Sequence, residues 1–173
     1  MKKCIIILFL FAFSNIFSQS YKLDSARIYY NHAIYSYNNK QYDDALMYSL
    51  KSWPLNCNAQ NSEAIFLAGM IYFNRGDFNA ALKCFRSSAS LYKGKVMYGR
   101  CWYELKNYNN AYYELNLAIY WDKENPSAFY YRGLTNIAMG DTSGAIKDLT
   151  YPASFKNIYT DLSKKELNKL NNK

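Results

Sequence analysis

A chain of 173 residues, half of them apolar, is long enough for one domain with a substantial core and too apolar to be disordered throughout. Its net charge of +8 comes from basic residues interspersed with acidic ones except near the C-terminus; with no recognised nucleic-acid motif, this argues against nucleic acid as a partner. The 19 tyrosines combine an apolar body with a polar tip and suit cores and binding faces alike, so composition leaves that choice open.

Lys2 and Lys3 give a positive start, Ile5 to Phe13 form an apolar run, and the polar, small-residue segment Ser14 to Ser20 follows. That order predicts a secretory signal peptide over 1–18, cleaved between Ser18 and Gln19, with Ser14 as the alternative site. An uncleaved N-terminal anchor is the competing reading, but the run falls short of the roughly 20 residues needed to cross about 30 Å of hydrocarbon. A lipoprotein's modified cysteine follows the apolar run, whereas Cys4 precedes it. No later segment is apolar enough to span a membrane, so the mature chain is expected to be exported and water-soluble, in the periplasm or secreted.

Residues 19–152 carry a repeating pattern. Helices are predicted in pairs over 24–38 and 42–52, 59–74 and 78–91, 95–106 and 109–121, and 126–139 and 142–151, giving segments 24–58, 59–91, 92–125 and 126–152. In each pair a small residue (Ala33, Gly69, Gly99 or Gly133) stands twelve positions before an alanine (Ala45, Ala81, Ala111 or Ala145). Successive pairs are offset by 36, 30 and 34 residues. Antiparallel helices joined by a tight turn approach closely only where side chains are short, which is why these sites lack bulk. Large residues fill the space around them: Tyr72, Phe78 and Phe85, then Trp102, Tyr108 and Leu115, then Phe129 and Leu149.

The turns YNNKQYDDA, FNRGDFNAA, ELKNYNNA and AMGDTSGA carry Gly and Asn, which tolerate left-handed backbone, and Asp77, Asn107 and Asp141 can cap the helices that follow. The long step holds the loop SWPLNCN, where Pro54 ends a helix; the short one has lost four residues near Lys93 and Gly94, about one helical turn, so the helix faces keep their orientation. Pro126 suits a first helical position and Pro152 should stop or kink the last repeat helix. Ser163 and Glu166 look like a capping box opening a short helix, which makes 153–173 a basic C-terminal cap or tail.

The spacing resembles the tetratricopeptide repeat, W-x2-L-G-x2-Y followed by A-x3-F, nominally 34 residues long. The second repeat matches best through Ile65, Ala68, Gly69, Tyr72, Ala81 and Phe85. The third gives Tyr98, Gly99, Trp102, Ala111 and Leu115; the fourth gives Phe129, Gly133, Ala145 and Leu149, with Arg132 and Asn136 replacing apolar residues. The first gives Tyr29, His32, Ala33 and Ser36 before Ala45 and Ser49. The resemblance implies an all-α, right-handed α-α superhelix of about four helix pairs with a C-terminal capping helix, whose concave side, lined by the first helices, receives a peptide or helix of another protein. Carried onto this sequence, that groove would be lined by Tyr30, Ile34, Tyr37, Phe66, Met70, Phe73, Arg100, Tyr103, Tyr130, Leu134 and Ile137. Family members that grip a chain-terminal carboxylate use lysine and asparagine, and the matching places here hold Tyr30, Ile34, Phe66, Met70, Tyr130 and Leu134. An apolar or amphipathic partner segment is therefore expected. The competing reading is that many of these side chains pack against neighbouring helices.

Chemistry has little to work with in this sequence. No G-x-S-x-G, H-E-x-x-H, phosphate loop or dinucleotide fingerprint occurs, and neither cofactor nor metal is expected. The single histidine, His32, reads as a packed or partly exposed helix residue, while Asp43 and Asp44 suit the positive end of a helix dipole. Cys57, Cys84 and Cys101, spaced by 27 and 17, match no zinc motif and in their odd number cannot all pair within the chain; buried thiols or one structural disulfide remain open. The sequence thus points to a non-catalytic scaffold. The alternative is a module whose tail, with Lys156, Lys164, Lys165, Lys169 and Lys173 against Asp161 and Glu166, makes weak contact with anionic lipid or cell-wall polymer.

Overall fold

Apolar stretches interrupted by short polar turns wind into helices throughout the computed structural model, which describes residues 21–22, 24–53, 59–88, 92–154 and 156–172. The leader read over 1–18, Pro54 and Cys57 lie outside them. In chain order the helices are α1 (24–38), α2 (Tyr42–Ser52), α3 (Ala59–Asn74), α4 (Phe78–Ser87), α5 (Tyr92–Glu104), α6 (Tyr108–Trp121), α7 (Pro126–Met139), α8 (Thr142–Ala153) and α9 (Thr160–Asn171). The chain is all-α. It divides into two compact units, one through Ile71 and one from Tyr72.

The four turns inside the helix pairs share one backbone design. Lys40, Gly76, Lys106 and Gly140 each take a left-handed conformation, with φ of 61, 78, 59 and 83°. The next residue then donates its N–H back to the preceding helix: Gln41 to Ser36, Asp77 to Tyr72, Asn107 to Trp102 and Asp141 to Asn136, at 2.9–3.0 Å. This six-to-one bond satisfies a carbonyl that the helix end would otherwise leave open. Glycine takes the left-handed position in two turns as expected, but lysine, not asparagine, takes it in the other two, because the bond pattern fixes the position whatever residue stands there. Asp77, Asn107 and Asp141 then cap the following helices, accepting from Ala80, Asn110 and Gly144 N–H at 3.0, 3.3 and 2.9 Å. Pro126 begins α7 behind the Asn125 cap, and Asp43 and Asp44 sit in the first turn of α2.

In the first unit Ala33, Ala45, Leu67 and Ile71 form a buried cluster, with Ile34, Tyr37, Leu46 and Tyr48 packed around it. The Ser52 hydroxyl ties α2 to α1 by donating to the Ala26 carbonyl at 3.0 Å. In the second unit each helix from α4 to α9 packs on the next. Ala81, Phe85, Ala111, Leu115, Ala145 and Leu149 are fully buried, and Gly99 and Gly133 are buried where α5 meets α6 and α7 meets α8. A Cβ on Gly99 would stand 2.7 Å from Leu115 Cγ, and one on Gly133 would stand 2.8 Å from Leu149 Cγ. Each glycine thus makes room for the leucine opposite, whose full burial contributes on the order of 2–3 kcal/mol.

Four local expectations need correction. α4 ends at Ser87, not 91: fully buried Ser88 closes it with its N–H on the Cys84 carbonyl and its hydroxyl on the Phe85 carbonyl. α5 begins at Tyr92, not 95, and ends at Glu104, not 106; Gly94 in its first turn lies so close to the Ser88 carbonyl that any side chain there would collide with it. α8 ends at Ala153, not 151, so it passes through Pro152 and stops at the next residue, and the Pro152 carbonyl accepts from Asn157 Nδ2 at 3.2 Å. Ser163 does not open α9 but lies buried inside it. The reciprocal box lies earlier, where Asn157 Oδ1 accepts from Tyr159 N–H at 2.7 Å and Thr160 Oγ1 accepts from Asn157 N–H at 3.0 Å.

Candidate partner-binding site

The residues singled out on the first helices fall into two sets. In the first unit Tyr30, Ile34 and Tyr37 lie on α1 and Phe66 and Met70 on α3, all half-buried, while Gly69 on α3 is buried. Ile34 and Tyr37 rest on the buried cluster, and Tyr37 meets Tyr42 edge-on at 5.6 Å between ring centres. Burial, with a smaller contribution from the Glu63 carboxylate, pushes the Tyr30 phenol up. Sequence reasoning gave no hint of an open concavity of about 480 Å³ on another face of α1, lined by Ile28, Asn31, His32 and Tyr35. His32 is exposed and stacks on Tyr48 at 5.1 Å.

In the second unit Phe73 and Tyr130 are nearly closed off, at 9% and 8% exposure, whereas Arg100, Tyr103, Leu134 and Ile137 stay half-buried. Phe73 meets Phe78 edge-on at 5.2 Å. Tyr130 is covered by Tyr159 from the segment entering α9, with ring centres 5.2 Å apart, so the C-terminal element reaches the face of α7. Arg100 on α5 is clasped between two rings, its guanidinium carbon 4.4 Å from the Phe73 centre and 4.7 Å from the Tyr131 centre. Its Nε is buried and makes no hydrogen bond.

Burial pushes Tyr131 up to about 12, opposed in part by the Arg100 charge, and raises Tyr103 and Tyr130 as well, with Glu166 a smaller raising influence on both. These phenols therefore stay neutral at physiological pH and serve as apolar walls with a hydrogen-bonding tip. Cys84 and Cys101 are free, buried thiols pushed up to about 11 and about 12, chiefly by desolvation. That makes them poor nucleophiles.

The polar substitutions in the fourth repeat turn out to be partners. Arg132 donates from Nε and Nη2 to the two oxygens of Asp148, at 2.8 and 2.6 Å, and from Nη1 to Asn116 Oδ1 at 2.6 Å. Asn136 Nδ2 donates to Asp148 Oδ2 at 3.0 Å. Asp148 is 3% exposed, so its charge is balanced by a two-pronged arginine and an amide. The sequence signal was the pair of departures at 132 and 136, one helical turn apart and so on one face.

Residues 62–95 match the family model of the tetratricopeptide repeat. No curated protein matches the chain. A tetratricopeptide repeat protein from Parabacteroides merdae superposes with a TM-score of 0.72 at 18% identity, over 86% of this chain and 61% of that one. MamA protein gives 0.70 at 19% identity, over 86% and 87%. The first tetratricopeptide domain of Spaghetti (RPAP3), solved bound to the HSP90 peptide SRMEEVD, gives 0.60 at 20% identity, over 66% and 94%. At these identities the likeness shows the fold: this chain is built as an α-α superhelix of tetratricopeptide type. Among the described residues no helix is long and apolar enough to cross a membrane.

Proposed function

We propose that this chain is a non-catalytic interaction scaffold of the tetratricopeptide repeat family that holds a segment of another protein against the aromatic faces of its first helices. The observation that carries this reading is the half-burial of Tyr30, Tyr37 and Phe66 in one unit and of Tyr103 in the other. Rings only partly covered keep apolar area in reserve, and such residues supply much of the energy at protein interfaces. Peptide capture by a domain of the same fold, in the RPAP3 structure, supports the assignment. The leader pattern from Lys2 to Phe13 supports export, which would put the partner in a bacterial envelope or outside the cell.

The test is cross-linked capture with the processed chain, followed by identification of the retained protein. A variant carrying Phe66→Ser, Met70→Gln and Tyr103→Ser should lose that protein while its far-UV circular dichroism stays helical. Retention of the same protein by the folded variant overturns the assignment.

A second reading draws on α9, where Lys164, Lys165 and Lys169 are exposed, with Leu162 and the preceding Ile158 also exposed at 45% and 79%. This surface suits an anionic lipid or polymer. Salt separates the two: attachment through the tail fades as charges are screened, whereas capture by the apolar faces persists.

A further inference from the structure

Among the described residues two arginines lie against pairs of aromatic rings, and their surroundings differ. Arg132 lies near Phe129 and Tyr112, at 5.5 and 5.9 Å, with Asp148 and Asn116 taking up its donors. Arg100 is stacked more closely, yet its Nε has no acceptor, and among the described residues no carboxylate forms an ion pair with it. Glu104, one turn further along α5, does not reach it. The residue directly after the small packing residue is Ile34, Met70 and Leu134 in the other repeats, so a cation at this register is particular to the third. A guanidinium stays charged at any physiological pH, and here its carbon lies 4.4 and 4.7 Å from the Phe73 and Tyr131 ring centres, neighbours that attract the charge but offer it no carboxylate. A half-buried charge with a buried donor left unpaired and no carboxylate beside it is costly until a ligand supplies the counter-charge.

We infer that Arg100 is the anion-recognition point of the second unit and takes the side-chain carboxylate of an aspartate or glutamate set among apolar residues in the partner segment. This rests on the scaffold reading and narrows it: the partner is amphipathic and acidic at one place. Phe73 and Tyr131 fix the plane of the guanidinium before binding, so little side-chain freedom is lost when the carboxylate arrives. Tyr103, half-buried on the same helix, supplies an apolar wall beside it.

The experiment selects a random library of short displayed peptides on the processed chain. Peptides from the unchanged protein should be enriched in Asp or Glu next to aromatic or aliphatic residues, and those selected on Arg100→Gln should not. A synthetic copy of a selected peptide, amidated at its C-terminus, should still bind, and replacing its internal Glu by Gln should weaken binding by about ten- to a hundredfold, as for loss of a charged hydrogen-bonded pair. That peptide-side change is measured on the unaltered protein, so the outcome does not depend on how Arg100→Gln folds. Selected peptides with no acidic preference would overturn the inference and leave the scaffold reading standing. Loss of binding on amidation alone would move the carboxylate to a chain end and overturn the side-chain assignment. Failure to select any peptide would sink both readings.

Discussion

Gly99→Ala adds one methyl group at the crossing of α5 and α6 and tests the packing rule directly. The new Cβ would stand 2.7 Å from Leu115 Cγ, 3.0 Å from its Cδ2 and 3.3 Å from its backbone nitrogen. Two terms compete. Alanine inside a helix gains about 1 kcal/mol over glycine. Forcing a methyl into a filled core costs about 1–3 kcal/mol. Leu115 is fully buried and its backbone is held in α6, so it can yield only by shifting the helix or leaving its rotamer. A net loss of up to about 2 kcal/mol is expected. Leu115→Ala alone should cost about 2–5 kcal/mol by opening a cavity. In the double variant the methyl at 99 enters the space Leu115 vacates, so the pair should be less destabilised than the sum of the singles by about 1 kcal/mol or more. Urea denaturation followed by circular dichroism at 222 nm, the usual helix band, measures all four proteins. If the effects add to within about 0.5 kcal/mol, or if Gly99→Ala is simply more stable, the glycine is not there to seat the leucine.

Asp148→Ala leaves the Arg132 guanidinium, 14% exposed, without its two-pronged partner and should cost about 3–5 kcal/mol. Replacing Arg132 by Met and Asp148 by Leu together should recover most of that loss in the same denaturation assay, whereas an equal loss in both would mean that the cost comes from losing the pair itself and not from the arginine charge left unpaired. Cys84 and Cys101, raised from 9.0 to about 11 and about 12, should be alkylated at pH 8 at least about a hundredfold more slowly than a free thiol, read by mass spectrometry on a Cys57→Ser variant. Because their folded values lie above the unfolded one, the stability they contribute is intact below pH 9 and declines as pH rises from there toward the folded values. Rapid native labelling would show that the two thiols are not enclosed.

The helix pairs were legible in the sequence because spacing carries them: a one-residue error in register would put every small residue on the wrong face. The bounds of α2, α3 and α7 and the end of α1 agree with their sequence ranges, and the caps at Asp77, Asn107 and Asp141 could be read from residue type. Two other helix starts could not. α5 begins three residues before its apolar pattern suggested, and the entry to α9 is closed by Asn157 and Thr160 bonding each other. At the candidate site the sequence supplied the residue types on each first helix but not their surroundings. Nothing in the pattern said that Tyr159 would cover Tyr130 or that Tyr131 would close on Arg100. Arg132 and Asn136 looked like defects until Asp148 was seen between them.

The left-handed lysines show where this fold allows variation. Lys40 and Lys106 take a conformation that costs a residue with a Cβ roughly 1–2 kcal/mol, and the same turns elsewhere use Gly76 and Gly140 at no such cost. A repeat can bear this because the turn sits between helices that bury Ala33 against Ala45 in one unit and Gly99 against Leu115 in the other. Positions facing a partner helix are held small or large by steric need. The residue just beyond the small one is only half-buried, and there the chain has Ile34, Met70, Arg100 and Leu134. Steric repetition thus fixes the helix packing and leaves these half-buried positions freer to vary in residue type. A charge placed among three apolar counterparts is the departure the fold does not require.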